Sequence, residues 1–331
     1  MTLRIGKWGG LFGIAAVTWG AGIVRQAHGQ EGAKFNSVRL LTNKEAVLQI
    51  QGSNTVNYRI ETSTDLSNWL ALATLRSSGL NQYTDSFAPY LNARSYRAAT
   101  LEGTNILTGD HLSTPEGPIT LHPIHHASLV LNWNGLTIYS DPVNGATPYK
   151  GLARADLILV THIHGDHFDS ATINSVTNTN AVIIAPRLVF NSLTAAQKKL
   201  ARIMTNGAVT IVGEINIEAV PAYNLTNNNH PKGDGNGYVL TIGGHRIYIS
   251  GDTEDVPEIR ALSNIDVAFL CMNVPYTMTG AKAVSTVRQF QPGVVYPYHY
   301  QNQDGSFTDL NGFKRQVGTD LGVEVRLRPW Y

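Results

Sequence analysis

Residues 155–167 constrain the fold of this chain more than any other stretch. An apolar run, residues 155–160, leads directly into a polar loop with the sequence Thr161-His162-Ile163-His164-Gly165-Asp166-His167. In an extended loop His162 and His164 point the same way, and Asp166 and His167 can turn toward a second position. Imidazoles and carboxylates suit metal ions, and two neighbouring metal ions are typical of hydrolysis. The loop therefore predicts a metal site that follows a strand.

Length and composition allow two domains and exclude several classes of protein. The chain has 331 residues and a formal net charge of +1, with neither a basic run nor an acidic tail. Nucleic acid is therefore not an expected partner. The single cysteine, Cys271, excludes an intrachain disulfide. It lies in the apolar run 265–271, which indicates a buried and unreactive thiol.

Residues 1–29 have the layout of a secretory signal peptide. Arg4 and Lys7 precede the uncharged stretch 8–24, and Ala27-His28-Gly29 forms a small-x-small exit before Gln30. An uncleaved membrane anchor is the alternative, because the apolar stretch is just short of the ~20 residues that span a bilayer. The glycines favour cleavage. We therefore expect an exported protein, periplasmic or extracellular, with no membrane span after cleavage.

Residues 34–101 predict a small antiparallel β-sandwich. Short runs with alternating polarity at 46–50, 58–62, 70–74 and 95–99 are separated by Gly, Asn, Ser and Pro. The segment 58–69, together with Tyr96-Arg97-Ala98, resembles Ig-like or fibronectin-III-like modules of bacterial secreted proteins. We expect this domain to be a spacer or to bind a polymer or partner protein. Residues 102–118, rich in Gly, Thr and Pro, predict a linker.

From residue 119 onward, apolar strands alternate with helical stretches such as 194–200 and 280–289. Four of these strands run directly into ionisable residues. Asp141 follows 136–140, His162 follows 157–160, Asp252 follows 246–250, and His299 follows 294–298. Side chains at the ends of neighbouring strands converge on one edge of a sheet, where α/β proteins commonly build their sites.

This pattern of ligands resembles the signature of the metallo-β-lactamase superfamily over residues 119–331. Within it, the chain is most similar to the branch that contains ascorbate-6-phosphate lactonase and N-acylphosphatidylethanolamine phospholipase D. The residues that carry this similarity are His126-Ala127-Ser128, Pro221-Ala222-Tyr223-Asn224, Gly237-Tyr238 and Gly251-Asp252-Thr253-Glu254. The resemblance implies an α+β fold, a four-layer αββα sandwich, which here follows the small all-β domain.

The resemblance also implies a set of ligands for two metal ions. His162 and His164 would bind the first ion, and Asp166, His167 and His299 the second. Asp252 would bridge them. Two Zn²⁺ ions suit these ligands, although Mn²⁺ or Fe²⁺ can take such sites. A bridging hydroxide would attack an electrophilic carbonyl or phosphorus, with Asp166 and Asp252 as the catalytic carboxylates and Asp166 a candidate proton donor.

Three further residues carry alternative interpretations. Many relatives place a histidine close to Asn224, so His230 is predicted to be the third ligand of the first metal, unless it is an ordinary loop histidine. Asp141 either holds the histidine loop by hydrogen bonds or ends a simple Asp-Pro turn. His126 either lines the mouth of the pocket or fills the first strand.

The sequence thus predicts a secreted dinuclear zinc hydrolase that cleaves an ester, lactone or phosphodiester. Its substrate would be a small or lipid-like molecule, and Lys232 in the loop 224–236 suggests an anionic group on it. His164 stands where flavodiiron proteins carry Glu, which favours hydrolysis over redox chemistry. The alternatives are a β-lactam or amide hydrolase of the same fold, and a surface-display module with a vestigial metal site. Nothing in the sequence indicates an oligomeric state.

Overall fold

The computed structural model describes residues 13–18, 24–26, 34–52, 56–76, 79–101 and 106–331. The chain divides into two compact units, Met1–His122 and Pro123–Tyr331. Of the predicted signal peptide, only residues 13–18 and 24–26 are described, as short strands, and the remainder lies outside the described residues. No helix in the described ranges combines the length and apolar character needed to cross a membrane.

The first unit is an all-β structure. Its strands are β1 (Gly13–Thr18), β2 (Val24–Gln26), β3 (Lys34–Leu40), β4 (Ala46–Gln51), β5 (Asn57–Ser63), β6 (Leu70–Arg76), β7 (Leu80–Asp85), β8 (Ala93–Leu101) and β9 (Gly109–Leu112), with a 3-10 turn at Ala88–Tyr90. They form one sheet in the order β9-β6-β5-β8-β1-β2 and a second in the order β3-β4-β7. A common core joins residues of both sheets, among them Leu48, Ile50, Ile60, Leu72 and Tyr96.

Two boundaries in this region bear on the predicted domains. Strand β9 lies within the predicted linker 102–118 and pairs antiparallel with β6. The division between the two units falls at His122, inside the next strand, β10 (Ile119–His125). The likeness of residues 34–101 to Ig-like or fibronectin-III-like modules stays a prediction.

The second unit contains two mixed sheets and short helices. After β10 its strands are β11 (Ser128–Trp133), β12 (Leu136–Ser140), β13 (Ala155–Leu159), β14 (Thr177–Ala185), β15 (Ala201–Ile203), β16 (Val209–Val212), β17 (Ile215–Ala222), β18 (Gly235–Ile242), β19 (His245–Ile249), β20 (Val267–Cys271), β21 (Val294–Tyr298) and β22 (Glu324–Val325). Its helices are α1 (Ser170–Val176), α2 (Arg187–Ser192), α3 (Ala195–Lys198), α4 (Pro257–Arg260), α5 (Gly280–Phe290) and α6 (Leu310–Val317), with a 3-10 turn at Thr147–Tyr149.

Parallel strands form one half of each sheet in this unit. One sheet has the order β15-β14-β13-β12-β11-β10 and the other β16-β17-β18-β19-β20-β21-β22. Strands β12 to β15 are parallel, as are β19 to β22. Such strands are buried on both faces, which explains the continuous apolar runs of β13 and β20. The α+β class predicted for this region is confirmed.

Cys271 ends β20 and is fully buried. Burial raises the pKa of its thiol to about 12, so the thiolate that reacts or binds metal is not formed near neutral pH.

Helix α5 shows how local sequence sets the ends of these elements. The Thr279 side chain accepts a hydrogen bond from the Lys282 amide at the N-terminus, and Gln291 ends the helix in the left-handed conformation. The predicted helix at 194–200 is shorter, Ala195–Lys198. A capping box joins Thr194 to Gln197 at its start, and strand β15 begins at Ala201.

Candidate metal centre

The loop after β13 closes back on itself and presents its polar side chains. The amides of His167 and Phe168 both donate to the His164 carbonyl, at 3.0 and 2.8 Å. Thr161 begins the loop, and its amide donates to Asp141 Oδ1 at 2.7 Å. Gly251 approaches from β19 with φ +59°, and a Cβ there would lie 2.9 Å from Thr161 Cβ. Only glycine allows both that conformation and that approach.

His162, His164 and His230 form the first group of ligand atoms. One nitrogen from each ring lies within 4.8 Å of the other two. Their ring centroids are 4.7 to 4.9 Å apart. The structure therefore places the loop histidine His230 beside the motif histidines, at the position predicted for the third ligand.

Asn224 explains how His230 reaches this position. The ring nitrogen Nδ1 of His230 lies 3.2 Å from Asn224 Oδ1, so it donates to that amide oxygen and turns Nε2 toward the site. The backbone N–H of Asn224 donates in turn to the backbone carbonyl of His230 at 2.8 Å. Glu254 holds the same loop by accepting from the amides of Leu225 and Thr226 at 3.0 and 3.1 Å. At the position where the resemblance led us to expect a histidine, this chain carries the residue that orients one.

Asp166, His167 and His299 form the second group. His299 Nε2 lies 3.3 Å from Asp166 Oδ2, and His167 Nε2 lies 3.8 Å from the same oxygen. His299 follows β21 with φ +47°. Residues other than glycine rarely adopt this backbone conformation, and it recurs at functional sites. Asp166 is the solvent-facing member, with 46% of its side chain exposed.

Asp252 lies between the two groups and presents one oxygen to each. Oδ2 is 3.3 Å from His230 Nε2. Oδ1 is 3.2 Å from His167 Nε2 and 3.3 Å from His299 Nε2. This is the placement that a bridging carboxylate requires.

The converging atoms are buried and lack hydrogen-bond partners among the described residues. They are Nε2 of His162, His167, His230 and His299, and Oδ1 of Asp252. Buried polar atoms are rarely left unpaired in this way. Tetrahedral ligands at about 2.1 Å from a zinc ion are separated by about 3.4 Å. The observed separations around Asp252, 3.2 to 3.3 Å, fit divalent ions between these atoms.

The electrostatics of the site match this ligand chemistry. Burial, reinforced by the charge of His167, lowers the pKa of His162 well below its usual value, which keeps the ring neutral. Burial opposes ionisation of Asp252, but His299 and His167 outweigh it and hold the pKa well below the usual range. Burial also opposes protonation of His167, but Asp252 and Asp141 raise its pKa well above the usual value. A divalent ion would replace that proton.

Asp141 orients the loop from behind. It is fully buried with φ +46°, and its Oδ2 accepts from His167 Nδ1 and from the Thr161 hydroxyl, both at 2.7 Å. With Nδ1 engaged, His167 can offer only Nε2 to the site. Asp141 therefore holds the histidine loop by hydrogen bonds and does more than end a turn.

His126 lies in the site, one residue beyond β10. Its Nε2 is 3.1 Å from Asp166 Oδ2, and its ring centroid is 3.7 Å from that of His299. Tyr331, which sequence reasoning did not single out, places its hydroxyl 2.7 Å from His126 Nδ1. No motif marks Tyr331, because only the fold brings it near residue 126.

Lys232 does not face the site as an unpaired charge. Its Nζ lies 2.7 Å from Glu258 Oε1 and 4.5 Å from the centroid of the Tyr223 ring. The charge that suggested an anionic substrate group is therefore already balanced by Glu258.

Comparison with known proteins identifies the family. A profile described as the beta-lactamase superfamily domain matches residues 120–299, which include the seven predicted ligands and His126. The chain belongs to the metallo-β-lactamase superfamily. The matched region begins within β10, so it leaves out most of the first unit.

Relatives within this superfamily indicate the activity. A UPF0173 metal-dependent hydrolase of Thermococcus onnurineus is 31% identical over 194 residues, which cover 57% of this chain and 85% of the relative. A Parabacteroides distasonis structure described as a metal-dependent hydrolase is 40% identical, with a TM-score of 0.59 over 67% of this chain and 99% of that one. The metallo hydrolase Igni18 of Ignicoccus hospitalis shares the fold, with a TM-score of 0.54 at 22% identity over 63% of this chain and 94% of that one. This superfamily member is therefore a metal-dependent hydrolase.

Proposed function

We propose that the second unit is a dinuclear zinc hydrolase that cleaves an ester, lactone or phosphodiester in a small or lipid-like molecule. The observation that carries this proposal is the position of Asp252. Its Oδ2 faces the group that contains His230, and its Oδ1 faces the group that contains His167 and His299. A carboxylate shared in this way supports two cations at one site.

The residues of this chain prepare the site before any substrate arrives. Thr161, Asn224 and Asp141 hold His162, His230 and His167 respectively, each through the ring nitrogen Nδ1. The Nε2 lone pairs consequently point inward without rearrangement, which favours tight metal binding. Two divalent ions held by these residues would supply an ionised water near neutral pH and would stabilise negative charge on the substrate.

The two catalytic carboxylates have different tasks in this proposal. Asp252 is 5% exposed and holds both metal positions. Asp166 reaches the solvent side, where it would take a proton from the attacking water and pass it to the leaving group. Burial opposes ionisation of Asp166, but His126 and His299, which lie 3.1 and 3.3 Å from its Oδ2, lower its pKa below the usual range. It therefore stays an anion and would carry that proton only transiently.

The ligand set limits which metal ions the site can bind, and the cleft limits which substrates it can take. Neutral imidazoles and carboxylates suit zinc, and Mn²⁺ or Fe²⁺ are the alternatives. The cleft beside His162 is lined by Asn229, Pro231, Asp234 and Asn236, and no Lys or Arg is among its described lining residues. We therefore rank esters and lactones ahead of phosphodiesters.

We also propose export, supported by the charge and apolar pattern of residues 1–29. An exported enzyme could use its first unit to bind a polymer or a partner protein. Fractionation of expressing cells tests this, with N-terminal sequencing of the product. A full-length protein that stays inside the cell would exclude it.

The activity is tested by metal analysis and a substrate screen on the purified protein. We expect two equivalents of a transition metal and hydrolysis of at least one lactone or ester. His162→Ala should lower that activity by more than the 10–100-fold typical of residues that only support a ligand. His245→Ala removes an imidazole at the start of β19 and should leave both metal content and activity unchanged.

Other outcomes would reject the proposal or change it. Hydrolysis that persists without metal, or in His162→Ala, would exclude a metal-dependent reaction at this site. Hydrolysis of β-lactams or simple amides alone would keep the site but change the substrate class. Two bound metal ions with no activity on any substrate class would support a binding or display module.

A further inference from the structure

Tyr331 lies beside the metal centre although it is outside the matched region 120–299. Its hydroxyl is 2.7 Å from His126 Nδ1, and the amide of Gln301 donates to the same hydroxyl oxygen at 3.3 Å. The neighbouring Trp330 carbonyl accepts from the His126 amide at 3.2 Å. Both the side chain and the backbone of His126 are therefore bound to the segment 330–331.

For a neutral His126 ring, the hydrogen bonds have one consistent direction. Nε2 faces Asp166 Oδ2 at 3.1 Å, and an ionised carboxylate can only accept, so Nε2 carries the hydrogen. A neutral imidazole then offers Nδ1 as an acceptor, and the Tyr331 hydroxyl donates to it. That hydroxyl oxygen accepts from Gln301. Hydrogens point from the Gln301 amide through Tyr331 and His126 to Asp166.

Packing holds His126 in this orientation. Its backbone has φ +58°, and its carbonyl accepts from the His299 amide at 3.1 Å. Its ring meets the Tyr331 ring edge-on at 5.6 Å. The Tyr331 ring packs in the same way against Tyr300 at 4.9 Å. Trp330 is buried against Phe269 and Tyr298, which fixes the segment that carries Tyr331.

We propose that Tyr331 is a positioning residue that, together with Asp166, holds His126 in the Nε2–H tautomer. In this tautomer His126 donates to Asp166 and fixes that carboxylate for the second metal ion. Asp166 Oδ2 has two lone pairs, so it can accept this hydrogen bond and still bind a metal. The inference rests on the proposed dinuclear function, because it assigns Asp166 to a metal.

The proposal excludes His126 itself as a ligand. Its Nε2 lies within 4.8 Å of ligand atoms of Asp166 and His299, as a ligand would. A nitrogen that carries a hydrogen has no lone pair for a metal, however. Tyr331 would thus keep a neighbouring imidazole from replacing the carboxylate.

Nitrogen-15 NMR of the zinc-loaded protein tests the tautomer directly. In the wild type, His126 should show a protonated Nε2 and an unprotonated Nδ1. Tyr331→Phe keeps the ring and removes the donor, so a mixture with the Nδ1–H tautomer should appear. Tyr276→Phe removes a phenol hydroxyl outside this chain of hydrogen bonds and should change nothing. An unchanged tautomer in Tyr331→Phe, or a metal-bound Nε2 in the wild type, would overturn the proposal.

Affinity for the second zinc equivalent, measured by competition with a chelator, tests the consequence. Tyr331→Phe should weaken it about 10-fold and His126→Ala by about 10–100-fold, as is typical of residues that hold a ligand. His126→Gln retains an N–H donor and should weaken it less than His126→Ala. In the His126→Ala background, Tyr331→Phe should have no further effect. Independent, additive losses would overturn the proposal.

The two experiments separate this inference from the proposed function. A wild-type protein that binds only one zinc ion would refute the dinuclear site, and with it the role assigned to Asp166. The tautomer measured by NMR would still report whether Tyr331 controls His126.

Discussion

Both units bury histidine and aspartate, but they satisfy these side chains differently. In the first unit, both ring nitrogens of His111 lie next to hydroxyls, those of Thr74 at 2.7 Å and Thr120 at 3.2 Å. The Asp85 carboxylate accepts from the Tyr96 hydroxyl at 2.7 Å. These polar groups satisfy one another by hydrogen bonds.

In the second unit, three of the buried histidines at the site are satisfied on one side only. His162, His167 and His230 have a protein partner at Nδ1 and none at Nε2 within the described part of the chain. The difference shows how a ligand can be told from a structural histidine. A buried ring with two partners stabilises the fold, and one with a single partner and an inward lone pair is prepared for a metal.

The largest expected effect comes from breaking the shared carboxylate. Asp252→Asn keeps the size of the side chain but removes the charge that both metal positions use. We expect the metal content to fall below two equivalents and the activity by at least about 100-fold, beyond the range of residues that only hold a ligand. Elemental analysis and the substrate identified by the screen measure both.

Asp85→Asn is the matched control in the first unit. It should leave metal content unchanged and lower the free energy of unfolding by about 1–3 kcal/mol, because Tyr96 and Arg94 both lose a charged partner. Equal loss of metal in the two variants would remove the distinction between the units.

The second effect concerns acid stability of the first unit. Burial lowers the pKa of His111 from 6.5 to about 4, so the folded state resists a proton that the unfolded chain accepts. Stability is therefore lost as pH falls from about 6.5 to about 4, by about 3 kcal/mol in total. Hydrogen exchange of amides in β5 and β8 at several pH values measures this. His111→Gln should remove most of this pH dependence, and a variant that retains it would show that His111 is not the cause.

The third effect sharpens the role of Asp141. Asp141→Asn keeps an acceptor for the loop but weakens the bond to His167 Nδ1, so both metal affinity and activity should fall about 10–100-fold. The loss should appear in metal affinity measured by chelator competition. Unchanged metal affinity would show that Asp141 only ends a turn.

The smallest effect is a proton released on metal binding. Asp252 and Asp141 raise the pKa of His167 well above its usual value, so the metal-free ring is protonated at pH 7. Its ligation requires the neutral form, so binding should release about one proton. Calorimetry in two buffers with different enthalpies of ionisation counts it, and Asp141→Asn should release less. If no proton is released at pH 7, Asp252 and Asp141 do not keep the metal-free His167 ring protonated.

Much of the site could be predicted from the sequence because its residues follow strands in a fixed order. His162, Asp252 and His299 each come just after an apolar strand, and parallel strands bring such positions to one edge. These placements depend on local periodicity, which a single sequence shows directly. The α+β class was implied instead by the resemblance of the ligand pattern to the metallo-β-lactamase superfamily.

The features that the sequence could not show depend on contacts between residues that are far apart in the chain. Tyr331 reaches His126 across 205 positions of the chain, and no spacing indicates that contact. Asn224 looked like a missing ligand, although its amide orients His230 instead. Lys232 looked like a substrate contact because its partner, Glu258, lies 26 residues away.

Anomalous scattering from crystals of the zinc-loaded protein tests the central claim most directly. It should show two zinc ions about 3.5–4 Å apart, both in contact with Asp252. One should bind His162 and His230, and the other His167 and His299. A single ion, or ions that leave Asp252 out, would contradict the shared carboxylate and with it the dinuclear site.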